Sequence, residues 1–192
     1  MEATTVVALE EHFTVPALIG RIDPGAISRR GFRPRKVPAN GPNPLELLPE
    51  IGERRLKSMD EAGITVQVLS NSGPGPDLVP GPDGVAMARE MNDHLATAIA
   101  RHPDRLAGFA ALPMQRPDDC ADELVRAVKG FVGALVNGTT EGRFLDHPMS
   151  HPTSLFWHGS KILGCQSGPE RKPVLDLFWL LPHFHFLHQD EG

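Results

Sequence analysis

Short strand-forming runs alternate with helical segments along most of the chain, and this alternation restricts the possible folds more than any other feature. Strands that are separated by helices pair in parallel through right-handed crossovers. A sheet built in this way is either open and doubly wound or closed into an eight-stranded barrel. The runs rich in β-branched and apolar residues, which predict strands, are 6–9, 64–70, 106–112 and 131–137.

The segments between these strands carry helix signals. Gly63 follows one of them where a C-terminal cap belongs, and Asp83 is placed to cap the next. The third has acidic residues in its first turn and Lys129 in its last, which suits the helix dipole. Residues 20–44 are rich in Gly, Pro and Arg and are predicted as a long loop. The predicted helices are 45–62, 84–101 and 116–130.

Composition and charge argue against several classes of function. The 192 residues are 40% apolar and 22% charged, which is ordinary for a globular protein with one core. A net charge of −5 gives no electrostatic basis for binding nucleic acid or an acidic membrane. The sequence shows no signal peptide and no apolar run long enough to span a bilayer. We therefore expect a cytoplasmic protein with neither nucleic acid nor membrane as a partner.

The first predicted strand runs into three ionisable residues, Glu10, Glu11 and His12. Side chains at i and i+2 of an extended strand point the same way, so Glu10 and His12 are expected to share a face, with Glu11 opposite. A carboxylate and an imidazole that converge just past the end of a parallel strand suit Zn²⁺ or Mn²⁺. Taken alone, such a triplet is more often a surface turn with solvated charges.

Several segments in a fixed order make a stronger case than the triplet alone. The chain reads "VALEEHF", then "RRLKSMDEAGITVQVLSNSGPG", then "AREMNDHLATAIARHPDRLAGFAALPMQ", then "GFVGALVNGTTEG" followed by "FLDHP". Together they resemble the metal-dependent aromatic-acid decarboxylases of the amidohydrolase superfamily. These include the 2,3-dihydroxybenzoate, γ-resorcylate and orsellinate decarboxylases, which are related to aminocarboxymuconate-semialdehyde decarboxylase. The resemblance covers residues 5–148.

The resemblance implies a fold, a cofactor and a reaction. The fold is α/β, a partial (β/α)₈ TIM-type barrel with about four βα units followed by an irregular C-terminal tail. Glu10 and His12 are implied as ligands of a divalent metal, Zn or Mn. The implied reaction is the non-oxidative decarboxylation of a hydroxylated benzoic acid, with a general acid that protonates the ring carbon. A small aromatic carboxylic acid is the implied partner, and a homo-oligomer is the implied assembly.

Other residues are weighed by their positions. Asn71 and Asn137 end the second and fourth predicted strands, where barrel sites gather, and are predicted to bind substrate, with a simple strand-end turn as the alternative. His94 and His102 are expected on the solvated face of a helix. Cys120 lies near the start of an amphipathic helix and is expected to pack in the core.

The pattern breaks after Asp146. Six of the nine histidines lie beyond it, and the later metal ligands and proton donor that the resemblance implies are not found there. A closed barrel typically needs about 250 residues, so we predict a truncated chain. Residues 1–148 are predicted as the N-terminal part of the barrel and 149–192 as a divergent tail, by hypothesis an out-of-frame or mis-spliced extension. Two strands, the first and the fourth, are then expected to have exposed edges, which favours self-association.

The tail also carries "HFHFLH". His183 and His185 have the i, i+2 spacing of a metal chelate, with His188 nearby, whereas fortuitous histidines in an uncapped tail are the preferred interpretation.

Two alternatives to the decarboxylase function stay open. One is a catalytically inactive remnant or assembly partner, and the other is a metal-dependent hydrolase of a small cyclic substrate.

Overall fold

A five-stranded parallel sheet forms the centre of the molecule. The computed structural model describes residues 5–32, 40–127, 129–137, 139–144 and 165–166. The sheet has the order β1-β2-β3-β4-β7, and β5 and β6 form a separate antiparallel pair. The strands are β1 (Val7–Phe13), β2 (Val66–Asn71), β3 (Leu106–Ala111), β4 (Gly133–Asn137), β5 (Thr139–Thr140), β6 (Arg143–Phe144) and β7 (Cys165–Gln166).

Helices connect the first four strands, as the alternation predicts. All neighbouring strands of the sheet pair in parallel, which confirms the predicted α/β class. Within the described ranges, no helix combines the length and the apolar character needed to cross a membrane. The helices are α1 (Pro16–Ile19), α2 (Pro24–Arg29), α3 (Pro44–Leu47), α4 (Glu53–Ala62), α5 (Gly81–Arg101) and α6 (Pro117–Ala127), with a 3₁₀ turn at Pro76–Leu78.

The core has two parts on either side of β3. The larger part packs α5 and β2 together through fully buried side chains such as Met91, Leu95 and Leu69. The smaller part packs α6 against β3 and β4, with Leu124 and Ala134 at its centre. Burial of these apolar side chains is the main driving force that holds the helices on the sheet.

The prediction of a continuous loop over 20–44 is wrong in its first part. The Asp23 carboxylate accepts hydrogen bonds from the backbone N–H groups of Gly25 and Ala26, at 3.1 and 3.0 Å, and so caps α2. Pro24 follows at the first helical position, where its fixed φ suits a helix start. The cap and the proline together form a helix in a segment whose glycine and proline content suggested none.

The predicted helix 45–62 is divided into α3 and α4. Pro49 lies between them and cannot continue a helix, because its ring removes an N–H donor and clashes with the preceding turn. The predicted end at Gly63 is confirmed, since this residue adopts a left-handed conformation with φ of 69° and caps α4.

The helix α5 begins at Gly81 rather than at Gly84, so the predicted cap at Asp83 is wrong. Pro80 holds the N-cap position, and Asp83 lies in the first turn, where its charge still suits the helix dipole. Gly84 lies against the backbone carbonyl of Val79, and a Cβ atom there would overlap with it. This glycine therefore permits the close approach of α5 to the preceding loop.

The first strand is longer than predicted. It continues through Glu10, Glu11 and His12 to Phe13, so these ionisable residues lie within the strand and not beyond it. Parallel pairing with β2 extends over this part and provides backbone partners for it.

The fourth strand is not an edge strand, contrary to prediction. Val136 and Asn137 of β4 pair in parallel with Cys165 and Gln166 of β7. A segment that was predicted to hold no regular element therefore supplies a fifth strand. The other strands keep close to the predicted bounds, because their apolar runs and flanking turn residues are local signals.

Candidate active site

Polar side chains gather where the parallel strands β1, β2 and β4 reach their carboxyl ends. In the β1–β2 register, His12 lies beside Ser70 and Phe13 lies beside Asn71. Asn137 is the last residue of β4. In parallel α/β sheets this end is where ligands bind, because loops of independent sequence surround it.

The ring of His12 is held by a buried hydroxyl. Its Nδ1 atom lies 2.9 Å from the Oγ atom of Ser70, a residue that is only 2% exposed. The same hydroxyl donates a hydrogen bond to the backbone carbonyl of Glu11, at 3.4 Å. The side chain of His12 is thus fixed against the neighbouring strand through one ring nitrogen.

Arg55 of α4 holds the backbone at the same place. Its Nη2 donates to the carbonyl oxygen of His12 at 2.9 Å, and its Nε donates to the carbonyl oxygen of Glu50, also at 2.9 Å. Burial lowers the pKa of the Arg55 guanidinium, while the charges of Glu11 and Glu50 act in the opposite direction. No sequence pattern indicated this residue, because it lies on a helix far along the chain from the strand that it supports.

Glu10 occupies an irregular position in β1. Three residue steps on β1, from Ala8 to Glu11, correspond to two steps on β2, from Gln67 to Leu69. Such an extra residue interrupts the alternation of faces on which the expected pairing of Glu10 with His12 was based. Their joint role as metal ligands therefore stays a prediction. Among the described residues, no three His, Cys, Asp or Glu side chains form a group that could hold a metal ion.

A small cavity of about 30 Å³ opens at the ends of β2, β3 and β4. Both Asn71 and Asn137 line it, as does Asp77 of the 3₁₀ turn, together with the apolar residues Leu112 and Met114. Contact of either asparagine with a substrate stays a prediction. The cavity combines an apolar wall with a few polar groups, and its volume is far below the roughly 300–1,000 Å³ of a pocket that encloses a whole drug-sized ligand.

Asp77 connects three segments around this cavity. Its Oδ2 accepts a hydrogen bond from Asn137 Nδ2 at 2.9 Å and lies 3.4 Å from an Arg30 nitrogen. Its side chain is only 7% exposed, and this burial raises the pKa of the carboxyl group, against the opposing effects of Arg30 and Asn137. No sequence pattern indicated Asp77, because a lone Asp in a Pro- and Gly-rich loop is typical of a turn.

Only one of the two polar atoms of the Asn71 amide has a hydrogen-bond partner among the described residues. Its Nδ2 donates to the carbonyl oxygen of Pro74 at 3.3 Å, whereas its buried Oδ1 has no hydrogen-bond partner among the described residues. A buried acceptor without a partner costs free energy. Asn71 is therefore incompletely paired within the described part of the fold.

Other candidate residues are placed as expected or lie outside the described ranges. His94 is exposed on α5, where its ring stacks on Phe13 with centroids 6.4 Å apart, and His102 follows α5 half-buried. Cys120 is buried, as predicted, with its Sγ 3.4 Å from the sulfur of Met114. Burial, with a smaller effect of Glu123, raises the pKa of its thiol to about 12. The tail histidines His183, His185 and His188 lie outside the described residues.

The chain matches the model of a known protein family. The amidohydrolase family model matches residues 12–160, which is most of the chain. The chain belongs to the amidohydrolase family. This match extends past residue 148, where the divergent tail was predicted to begin, and the boundary itself stays a prediction.

Curated members of the family that resemble the chain are decarboxylases. The chain is 41% identical to the γ-resorcylate decarboxylase of Rhodococcus jostii over 144 residues, which are 73% of this chain and 40% of that protein. It is 33% identical to the decarboxylase orsB of Emericella nidulans over 156 residues, covering 79% of this chain and 42% of the relative. The chain thus spans about two fifths of the length of these amidohydrolases.

Solved amidohydrolase structures agree with the sheet described above. The 2,6-dihydroxybenzoate decarboxylase from Rhizobium is 34% identical, with a TM-score of 0.66, and is matched over 84% of this chain and 49% of its own. The 5-carboxyvanillate decarboxylase from Novosphingobium aromaticivorans, solved with manganese and 4-hydroxy-3-methoxy-5-nitrobenzoic acid, is 29% identical with a TM-score of 0.72, over 85% and 50% of the two chains. The predicted partial barrel is confirmed, since the chain matches about half of each structure.

Proposed function

We propose that this amidohydrolase is a divalent-metal-dependent decarboxylase that removes CO₂ from a hydroxylated benzoic acid without oxidation. The observation that carries the proposal is the 41% identity to a γ-resorcylate decarboxylase over 144 residues. That stretch includes most of the described fold. The solved 2,6-dihydroxybenzoate decarboxylase, matched over 84% of this chain, supports the same substrate class.

The residues at the end of β1 fit a metal in part. Imidazole and carboxylate are ligands for both Zn²⁺ and Mn²⁺, and the His12 ring is already held through Nδ1, as is common for a ligating histidine. We assign His12 and Glu10 as the ligands from this part of the chain. Further ligands are needed, because the described residues contain no group of three. A bound divalent ion would orient the substrate carboxylate and stabilise the negative charge that develops during the reaction.

The chain's own contribution to substrate binding lies in the cavity beside Asn71. This cavity of about 30 Å³ has room for a small part of a ligand, such as a hydroxyl group, beside the apolar side chains of Leu112 and Met114. Asp77 accepts a hydrogen bond from Asn137 in the lining of the same cavity and so helps to fix the shape of its wall. No residue is assigned here as the proton donor to the ring carbon.

The second candidate is an inactive chain that serves as an assembly partner. The lack of a three-ligand group among the described residues favours it. We also propose self-association as a homo-oligomer, supported by the position of β1 at the edge of the sheet. A location in the cytoplasm is supported by the two cysteines of the sequence, which share no motif typical of a disulfide framework. Size-exclusion chromatography with light scattering and cell fractionation test these two points.

The decisive experiment combines metal analysis with an assay of CO₂ release. The purified chain is loaded with Mn²⁺ or Zn²⁺, and its metal content and its activity on 2,6-dihydroxybenzoate, 2,3-dihydroxybenzoate and orsellinate are measured. We expect about one metal ion per chain and release of CO₂. The variant His12→Ala should lose both, whereas His94→Ala, which removes an exposed imidazole, should keep both.

Three other outcomes contradict the proposal. A folded chain that binds no metal and releases no CO₂ supports the inactive assembly partner. Addition of water to a cyclic substrate without loss of CO₂ supports the hydrolase. Activity that survives in His12→Ala overturns the assignment of this residue.

A further inference from the structure

We propose that Ser70 is a positioning residue that holds the His12 ring as the tautomer with its proton on Nδ1, so that Nε2 offers a lone pair to a metal ion. This inference rests on the proposed metal-dependent function for its purpose, but the tautomer is a property of the metal-free chain. Its basis is a short chain of three groups: the His12 ring, the Ser70 hydroxyl and the Glu11 carbonyl.

The direction of these hydrogen bonds follows from the last group. The backbone carbonyl of Glu11 can only accept, so the Ser70 hydroxyl must be the donor of the 3.4 Å bond between them. A hydroxyl has one proton, so when Ser70 donates it to Glu11, the contact with His12 is one in which Ser70 accepts. The 2.9 Å contact to Nδ1 is then a bond in which the ring nitrogen donates to Oγ.

The opposite assignment is less favourable for both partners. If Ser70 donated to Nδ1, the ring proton would lie on Nε2, and the Glu11 carbonyl would lose this donor. Ser70 is only 2% exposed, so water does not compete with these two groups for its hydroxyl. A neutral imidazole with Nε2–H also has no lone pair on that atom for a metal.

Two further contacts keep the ring where the hydroxyl can reach it. The parallel register places His12 directly beside Ser70 on the neighbouring strand. Arg55 fixes the backbone of the same residue through its 2.9 Å bond to the His12 carbonyl. The position of the ring is therefore determined before any ligand binds, which is how outer partners orient a metal ligand.

The test is a long-range ¹H–¹⁵N correlation spectrum of the metal-free chain with labelled histidine. His12→Gln identifies the His12 signals by their loss, and His94 and His102 serve as references in the same spectrum. At a pH where the ring is neutral, we expect a protonated Nδ1 and an unprotonated Nε2 at His12. An Nε2–H pattern at His12 overturns the inference.

Variants of Ser70 provide the second arm. Ser70→Ala should shift His12 toward the Nε2–H form and weaken Mn²⁺ binding by about ten- to a hundred-fold. Ser70→Thr keeps the hydroxyl and should retain the wild-type spectrum, and Ser58→Ala removes an exposed hydroxyl as a control. Should Ser70→Ala unfold, the wild-type spectrum and Ser70→Thr still decide. An Nδ1–H pattern that persists in folded Ser70→Ala overturns the role of Ser70.

The spectrum also separates this inference from the proposed function. An Nδ1–H ring in a chain that binds no Mn²⁺ supports the positioning by Ser70 and contradicts the metal-dependent function. An Nε2–H ring in a chain that binds Mn²⁺ and releases CO₂ contradicts the positioning by Ser70 and supports the metal-dependent function.

Discussion

Two polar clusters of this amidohydrolase differ in burial and in how completely their atoms are paired. Between α5 and α6, the fully buried Glu123 accepts hydrogen bonds from Asn92 at 2.7 Å and from two nitrogens of Arg126 at 2.8 and 2.7 Å. The Asn92 amide also bonds both backbone groups of Ala111, at 2.8 and 3.0 Å. We call these residues the closed cluster.

The open cluster lies at the carboxyl ends of the strands and consists of His12, Ser70 and Asn71. Here the His12 ring is bound through one nitrogen, and the Oδ1 atom of Asn71 has no partner among the described residues. Buried polar groups are normally paired, so the exceptions call for a physical reason.

The difference indicates separate roles. In the closed cluster each polar group is used by another part of the chain, which fixes α5 and α6 on the end of β3 and leaves nothing for a ligand. In the open cluster the strands present a donor or acceptor that the described fold does not use. Pairing and burial together thus distinguish the supporting part of the molecule, where Glu123 and Asn92 are buried, from the candidate site, where His12 and Asn71 are partly exposed.

The largest expected effect concerns the burial of Cys120 on α6, the helix that also carries Glu123 and Arg126. Burial raises the Cys120 pKa to about 12, and the thiolate is the reactive form of cysteine. In a Cys165→Ser background, alkylation of folded Cys120 near about pH 8 should be at least about a thousand-fold slower than in the urea-unfolded chain. Mass spectrometry measures both rates. Alkylation rates of the folded and unfolded chains within about tenfold of each other would show that burial does not protect Cys120.

The next effect breaks the closed cluster at its centre. Glu123→Ala leaves Arg126 and Asn92 without their shared acceptor and should lower the free energy of unfolding by about 3 kcal/mol, measured by urea denaturation. Glu90→Ala is the control, because Glu90 pairs with Arg21 at the surface with both side chains about half exposed. That variant should show no measurable change. Equal losses in the two variants would contradict the closed cluster.

A third prediction tests the hydrogen bonds of the closed cluster to the sheet. Asn92→Leu keeps a similar side-chain volume but leaves the backbone N–H and C=O of Ala111 and the Glu123 carboxylate without this partner. We expect a loss of about 2 kcal/mol in urea unfolding. A wild-type midpoint would mean that Asn92 does not hold the end of β3.

The smallest effect is expected from the same substitution in the open cluster. Asn71→Leu removes one long hydrogen bond, to Pro74, and an acceptor that has no described partner. Its unfolding free energy should therefore change by less than about 1 kcal/mol, while substrate binding weakens under the proposed function. Equal destabilisation by Asn71→Leu and Asn92→Leu would remove the distinction between the clusters.

The sequence predicted the strands and long helices well because their signals are local. The apolar runs of β2 and β3 and the glycine after α4 depend on neighbouring residues only. The errors in the predicted helix 45–62 and the predicted loop 20–44 also have local causes. Pro49 interrupted an otherwise periodic helix, and the Asp23–Pro24 pair started a helix in a segment of loop-like composition.

The candidate site could be predicted only in part. The resemblance singled out His12, and strand ends pointed to Asn71 and Asn137, which both line the cavity. Arg55 and Asp77 were missed, because an Arg on a helix and an Asp in a turn have ordinary local explanations. Only their contacts, to the His12 carbonyl and to Asn137, give them a place in the site.

The sequence by itself determined the alternation of strands and helices, the parallel α/β class and the family, since each is written in short stretches of neighbouring residues. Tertiary structure alone decided which polar groups meet. His12 and Ser70 are 58 positions apart and Asp77 and Asn137 are 60 apart, and the register irregularity in β1 breaks the simple alternation expected of Glu10 and His12. Pairing over such distances depends on strand register and helix packing, which no local pattern specifies.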